Sequence, residues 1–230
     1  MTTAFAIPLH RISARMVLRA MRNTAIALVA FLVLGNLLIF AAFKILAATD
    51  AARPLAPLPG IKNLTEVDAS MWRGSAPSRA GYAALAEEGV KTIVDLRAED
   101  LHFQARYIES LGMDLVRVPV RDGQAPTPSQ VAQFLGAVRN SDGLVYIHCG
   151  AGVGRTGTMA AAYLVRERGM SPMAALARNL AVGPPSLEQI AYVAGLEPDS
   201  PTTANSVFTA LSRVLDAPRR IWVSVENVYE

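Results

Sequence analysis

One thiol and one guanidinium stand at the two ends of a glycine-rich stretch, L-V-Y-I-H-C-G-A-G-V-G-R-T-G, which runs from Leu144 to Gly157. Cys149 is the only cysteine in 230 residues, and Arg155 follows it after an interval that holds Gly150, Gly152 and Gly154. Glycines let a backbone curl tightly without Cβ clashes. Successive N–H groups of such a turn then converge on one point, beside the positive end of any helix that follows. An arginine at that helix start grips two oxygens of an anion at once. A thiol at the centre of this cradle is favoured as the thiolate and becomes a nucleophile. Together these groups suit the transfer of a phosphoryl group from an ester onto sulfur. No lysine follows the glycines as it does in a nucleotide P-loop. With one cysteine and only His10, His102 and His148, a thiolate metal cluster is not available, and no metal or other cofactor is expected.

The elements around this stretch must deliver it as strand, tight turn and helix. Leu144 to Ile147 reads as a buried strand that carries His148 and Cys149 into the turn, and Thr156 to Arg166 reads as a helix. Upstream, Ser70 to Arg73 is a weak strand, followed by a turn at Gly74 to Ser78. Ser78 can cap a helix over Arg79 to Glu88, with Gly89 as its stop. Lys91 to Leu96 is a β-branched strand, Leu101 to Ser110 a helix and Leu115 to Val120 a second clear strand. After the loop R-D-G-Q-A-P, Thr127 or Ser129 opens a helix to about Val138. Further helices are expected at Pro172–Asn179, Leu187–Ala194 and Ser206–Leu215. Strands alternating with helices imply an α/β layered domain.

Charge is unevenly placed. Residues 1–50 carry a net of +4, residues 51–230 a net of −1, so the folded part has no basic excess and no nucleic-acid partner is expected. Thr24 to Phe43 is uncharged over 20 residues, about 30 Å as a helix and enough to cross a bilayer. Arg11, Arg15, Arg19 and Arg22 precede it and share one helical face that can rest on anionic headgroups. The positive-inside bias puts the N-terminus in the cytoplasm and the rest across an inner (cell) membrane, periplasmic or extracytoplasmic. A cleaved signal peptide with a site at Leu46-Ala47-Ala48 is the alternative, as is the mitochondrial inner membrane if the source is eukaryotic. The expected organisation is a basic leader (1–23), a membrane anchor (24–48), a Pro-rich spacer (49–60), a catalytic domain (61–200) and a C-terminal extension (201–230).

His148-Cys149-Gly150-Ala151-Gly152-Val153-Gly154-Arg155-Thr156-Gly157 resembles the H-C-x-x-G-x-G-R-[ST]-G signature of the protein-tyrosine phosphatase superfamily. Rhodaneses share a Cys-x5-Arg loop but lack this glycine pattern and the preceding histidine. W-R-G-S-A-P-S at Trp72–Ser78 and T-I-V-D-L-R at Thr92–Arg97 are similar to landmarks of its compact, dual-specificity-like bacterial branch. The resemblance implies an α/β cysteine-phosphatase fold, with a central, mainly parallel sheet flanked by helices and here preceded by one transmembrane helix. It also implies a phosphocysteine mechanism. Cys149 would be the nucleophile, and Arg155 with the loop Gly150, Ala151, Gly152, Val153 and Gly154 would bind phosphate. An upstream Asp should be the general acid. Asp122 is expected to fill that role, because it follows a strand and precedes a helix; Asp95, Asp100, Asp114 and Asp142 are placed less well. R-D-G-Q-A-P is equally a turn sequence, in which Asp122 would do no chemistry.

Among supporting residues, Thr156 is expected to hydrogen-bond the sulfur and His148 to buttress the loop through backbone hydrogen bonds. Gln189 reads as a solvated helix residue, with the positioning of water, as by a downstream Gln in some relatives, as the alternative. Arg73 and Arg97 read as members of structural ion pairs outside the site, with lining the site as the alternative. The variable loop positions Gly150, Ala151 and Val153 are not basic, whereas phosphoinositide phosphatases of the superfamily commonly carry lysine there. The expected substrate is therefore a protein phosphorylated on tyrosine, with phosphoserine and phosphothreonine as further candidates. A phosphoinositide or inositol phosphate is the enzymatic alternative. A catalytically silent phosphate-binding scaffold is the alternative of another class.

Overall fold

The computed structural model describes residues 14–98 and 102–215. Arg11, His10, Asp100 and the part of the C-terminal extension after residue 215 lie outside them. The chain divides into two units, residues 1–38 and residues 39–230. The described part of the first is one helix, the start of α1 (Ala14–Ala47). Its large apolar side chains, Leu28, Phe31, Leu34 and Leu37 among them, are exposed. An apolar helix with every face uncovered suits apolar surroundings, and α1 is long and apolar enough to cross a membrane.

The second unit is built on a five-stranded sheet: β1 (Thr65–Asp68), β2 (Met71–Gly74), β3 (Val90–Arg97), β4 (Asp114–Val120) and β5 (Leu144–His148). Their spatial order is β1-β2-β5-β3-β4. All neighbours run parallel except β1 and β2, which form a short antiparallel pair at one edge. The sequence reading finds β2 and overlooks β1, because T-E-V-D is four residues long and half acidic. Between the strands lie α2 (Arg79–Glu87), α3 (His102–Ser110) and α4 (Pro128–Arg139). After β5 come α5 (Gly154–Arg168), α6 (Pro172–Val182), α7 (Leu187–Ala194) and α8 (Ser206–Leu215).

Strand alternation sorts the core onto two faces. Val94, Leu96, Val145 and Ile147 pack with α4 to α7, whereas Ile93 and Tyr146 pack with Tyr82, Leu85 and Ile108 on the other side. Caps set the helix starts. Ser78 accepts from Gly81 N, and Thr127 and Ser186 each form a reciprocal box with the glutamine three residues on. Helix α5 has no such side-chain cap at Val153 and is buried from Arg155 to Val165. It begins at Gly154, two residues earlier than the sequence suggests, because the glycines of the turn wind into its first coil. The carboxyl ends of β2, β3, β4 and β5 therefore surround one helix N-terminus whose first amides no side chain occupies. Crevices of this kind are where open α/β sheets bind ligands.

Candidate active site

Cys149 leaves the end of β5 with only 3% of its surface exposed. The loop from there to Arg155 is possible because Gly152 adopts φ +75° and passes close to β2. A methyl group there would lie 2.2 Å from the Gly74 carbonyl carbon. Gly157 is constrained in another way, since a Cβ would collide with the Asn179 side-chain amide. Arg155 folds back over the loop, and a methyl group on Gly150 would stand 3.9 Å from its Nη2. Arg155 Nη1 donates to the Val120 carbonyl at 3.2 Å, which ties the guanidinium to the end of β4.

The structure brings Asp122 to the same place. It follows β4 by two residues, and its Oδ1 lies 3.2 Å from Arg155 Nε. Its side chain is 56% exposed. The surrounding segment is the turn its sequence suggests, with Gln124 N donating to Arg121 O at 3.2 Å and Gly123 at φ +69°. Asp95, by contrast, is a β3 residue engaged with Arg97.

The loop's carbonyls are held from outside. Gly150 O accepts from Ala76 N at 2.9 Å, and Ala151 O from Asn63 Nδ2 at 2.9 Å. Gly152 O and Val153 O accept from Arg73 Nη2 at 2.9 and 3.1 Å. Among the described residues Arg73 thus has no carboxylate partner, unlike the structural ion pair the sequence suggests, and it supports the loop from Cys149 to Arg155 instead. It extends from β2, level with Ile147 of β5, and also reaches Asn179 Oδ1 at 3.3 Å. Arg97 does form the expected ion pair, at 2.8 Å from Asp95 Oδ2.

His148 is fully buried, with Nδ1 3.2 Å from the Cys149 carbonyl. A carbonyl only accepts, so the neutral ring carries its proton on Nδ1. The imidazole stacks on Tyr146, with its Nε2 3.5 Å from Tyr82 Oη. Burial pushes its pKa down to about 4, against the pull of Asp95. Burial would raise the Asp95 carboxyl, but the hydrogen bonds from Arg97 outweigh this and hold it below its usual range. Thr156 differs from expectation. Its hydroxyl is buried and makes no hydrogen bond, whether to the sulfur or to another described group.

Gln189 is not solvated. It is 1% exposed, its Nε2 donates to Gln124 O at 3.2 Å, and its amide abuts Gly154. Two neighbours at the start of α7 hold the Asp122 loop with it: Ser186 Oγ donates to Gly123 O at 2.7 Å, and Glu188 Oε1 accepts from Ala125 N at 3.0 Å. Nothing local in the sequence marks these tethers. The S-x-x-Q box at Ser186–Gln189 does mark where α7 begins.

A family model described as "DSP-PTPase phosphatase fused to NAD+ Kinase" matches residues 59–195, which include every site residue above. The chain belongs to this family, within the protein-tyrosine phosphatase superfamily. The phosphatase is 39% identical over 101 residues to "Probable NAD kinase 2, chloroplastic" of Oryza sativa subsp. japonica, covering 41% of this chain and 10% of that protein. It is 36% identical over 85 residues to "Tyrosine-protein phosphatase cdc-14" of Caenorhabditis elegans, covering 37% of this chain and 12% of that one. The matches thus span about a tenth of the length of these curated relatives. Among solved structures, P. aeruginosa TpbA superposes with a TM-score of 0.52 at 26% identity, over 64% of this chain and 92% of its own. TpbA has also been solved in complex with pTyr.

Proposed function

We propose that this phosphatase hydrolyses phosphotyrosine on proteins through a phosphocysteine intermediate, from a domain tethered to a membrane by α1. The observation that carries the mechanism is the meeting of Asp122 and Arg155 at 3.2 Å beside the loop of Cys149. A turn-forming aspartate without chemistry has no reason to stand at the phosphate-gripping arginine.

Substrate phosphate takes over the guanidinium of Arg155, and the amides of Gly150 to Arg155 hold its equatorial oxygens. The Cys149 thiolate attacks phosphorus in line. The S–P bond forms as the ester P–O bond breaks, and Asp122 gives its proton to the departing oxygen. In the second step Asp122, now a carboxylate, takes a proton from water whose oxygen attacks phosphorus. The S–P bond breaks, inorganic phosphate leaves and the thiolate is restored. His148 holds the loop at the Cys149 carbonyl and transfers no proton.

Three features support a protein phosphotyrosine substrate. The loop's variable positions Gly150, Ala151 and Val153 carry no basic side chain to meet extra phosphates. TpbA accommodates pTyr, and the nematode relative bears the name of a tyrosine-protein phosphatase. The anchored topology, with the N-terminus cytoplasmic, rests on the exposed apolar length of α1 and the arginines that lead into it.

The full chain in detergent, assayed against phosphotyrosine and phosphoserine peptides, an aryl phosphate and phosphoinositides, tests the reading. Phosphotyrosine peptide should give the highest kcat/KM. Preference for phosphoinositide would replace the substrate, and absence of turnover on all four would favour a binding scaffold. Protease added to intact cells or spheroplasts should remove the domain, and protection would reverse the topology.

A further inference from the structure

We infer that Arg73 is a positioning residue for phosphate recognition, which aims two of the loop's amides at the anion and puts a buried positive charge against the loop that Cys149 opens. This rests on the phosphatase reading of the loop. In a trans peptide the C=O of one residue and the N–H of the next point in opposite directions. Whatever holds a carbonyl outside the loop therefore turns the following amide inward. Arg73 Nη2 holds the carbonyls of Gly152 and Val153, so it fixes the N–H groups of Val153 and Gly154. These lie at the start of α5, where the helix has no side-chain cap to take its first amides.

Packing alone does not explain a guanidinium at this place. Arg73 is 4% exposed, and among the described residues no carboxylate pairs with it. A buried cation without a counter-ion is costly, and an apolar side chain of similar size would fill the space at less expense. Burial lowers its pKa to about 10, and the charge of Cys149 acts against that fall. The guanidinium is therefore still protonated at neutral pH. Asn179, which takes a third bond from the same nitrogen and leaves no room for a Cβ on Gly157, locks the side chain against α5 and α6.

Tungstate affinity and p-nitrophenyl phosphate kinetics of the full chain in detergent test this, with Arg73→Met, Arg73→Lys and Arg178→Met compared with wild type. Arg178 is a structural control, since its Nη1 donates to Val67 O at 3.0 Å and, among the described residues, it makes no hydrogen bond to the loop. Arg73→Met should weaken tungstate binding about tenfold and raise KM in parallel, as loss of hydrogen bonds to a charged group would. Arg73→Lys keeps the charge on a side chain one bond too short to reach where Nη2 stands, and should fall between, at about threefold. Arg178→Met should lower Tm and leave both constants unchanged. A tungstate Kd in Arg73→Met within about twofold of wild type, alongside a lowered Tm, would show a purely structural arginine. If the methionine variant does not fold, an unchanged Kd in Arg73→Lys overturns the proposal instead. Wild type that binds tungstate but hydrolyses no ester would refute the phosphatase reading, and the comparison of affinities would still decide the role of Arg73.

Discussion

The two loops that meet at Arg155 are held in opposite ways. The phosphate loop, Cys149 to Arg155, is closed in. Cys149 is buried, and the carbonyls from Cys149 to Val153 all have partners, supplied by His148, Ala76, Asn63 and Arg73. The loop of the proposed acid, Arg121 to Pro126, carries an exposed Asp122 and is fastened at Gly123, Gln124 and Ala125 by the start of α7. Phosphate binding needs donors fixed before the anion arrives, because reorganising them during reaction would cost what they supply. Proton transfer needs a group that can serve first the leaving oxygen and then water, and a partly exposed side chain on a short turn permits that. The division predicts distinct kinetic signatures for damage to each loop.

The largest effect should come from Cys149, the proposed nucleophile. Cys149→Ser should reduce kcat about 10⁴-fold or more while leaving anion binding intact, because the cradle is main chain and arginine. Turnover above about a hundredth of wild type would mean that sulfur does not attack phosphorus.

Next in size is Asp122→Ala. It should cut kcat about 10²- to 10³-fold on phenyl phosphate, whose leaving group needs the proton, and far less on p-nitrophenyl phosphate. Tungstate affinity should not fall, and removing the carboxylate that competes for Arg155 should raise it slightly. Equal losses on both esters would place the acid elsewhere and leave the exposed loop without its role.

The phosphate loop is legible in the sequence because its chemistry and geometry are local: thiol, glycines and arginine occupy one continuous strand-turn-helix. Asp122 is legible for a related reason, as an acid just beyond a strand end and ahead of a capped helix. Their supports are not. Arg73 is 79 residues from Gly152, Asn63 is 88 from Ala151, and Ser186 is 63 from Gly123. These contacts exist only once β2 has paired with β5 and α7 has packed behind the acid loop. Gln189 shows the difficulty most clearly, since its position in the helix suggests solvent and only the tertiary fold buries it.

Stability against pH separates the loops a third way, through the cradle alone. Below about 6.5 an unfolded chain protonates His148, and the folded chain resists until about 4. Folding stability should therefore fall as pH drops through that window, by about 3 kcal/mol in all. Among the groups that face the ring, Asp95 opposes the shift in part, and the charges of Arg97 and Arg155 reinforce it. Denaturant titrations between pH 7 and 4 should show a flatter profile in His148→Asn, whose amide can still donate to the Cys149 carbonyl. An unchanged slope would mean that the pH dependence arises elsewhere.

The smallest effects give the sharpest comparison, because one hydrogen bond is removed from each loop. Ser186→Ala loses the bond to Gly123 O and the cap on Gln189 N. Asn63→Gly loses the bond to Ala151 O, and glycine tolerates the φ of +55° there without strain. Each should cost about 1 kcal/mol of stability. Their kinetics should diverge. Ser186→Ala loosens the acid loop and should lower kcat on phenyl phosphate about threefold at constant KM, since the cradle is untouched. Asn63→Gly frees the Ala151 carbonyl and hence the Gly152 amide that must face the anion, so it should raise KM and tungstate Kd at nearly constant kcat. If both variants changed KM and kcat together, the loops would move as one body. The acid would then be fixed by the same contacts as the cradle, and its exposure would reflect only its place at the mouth of the site.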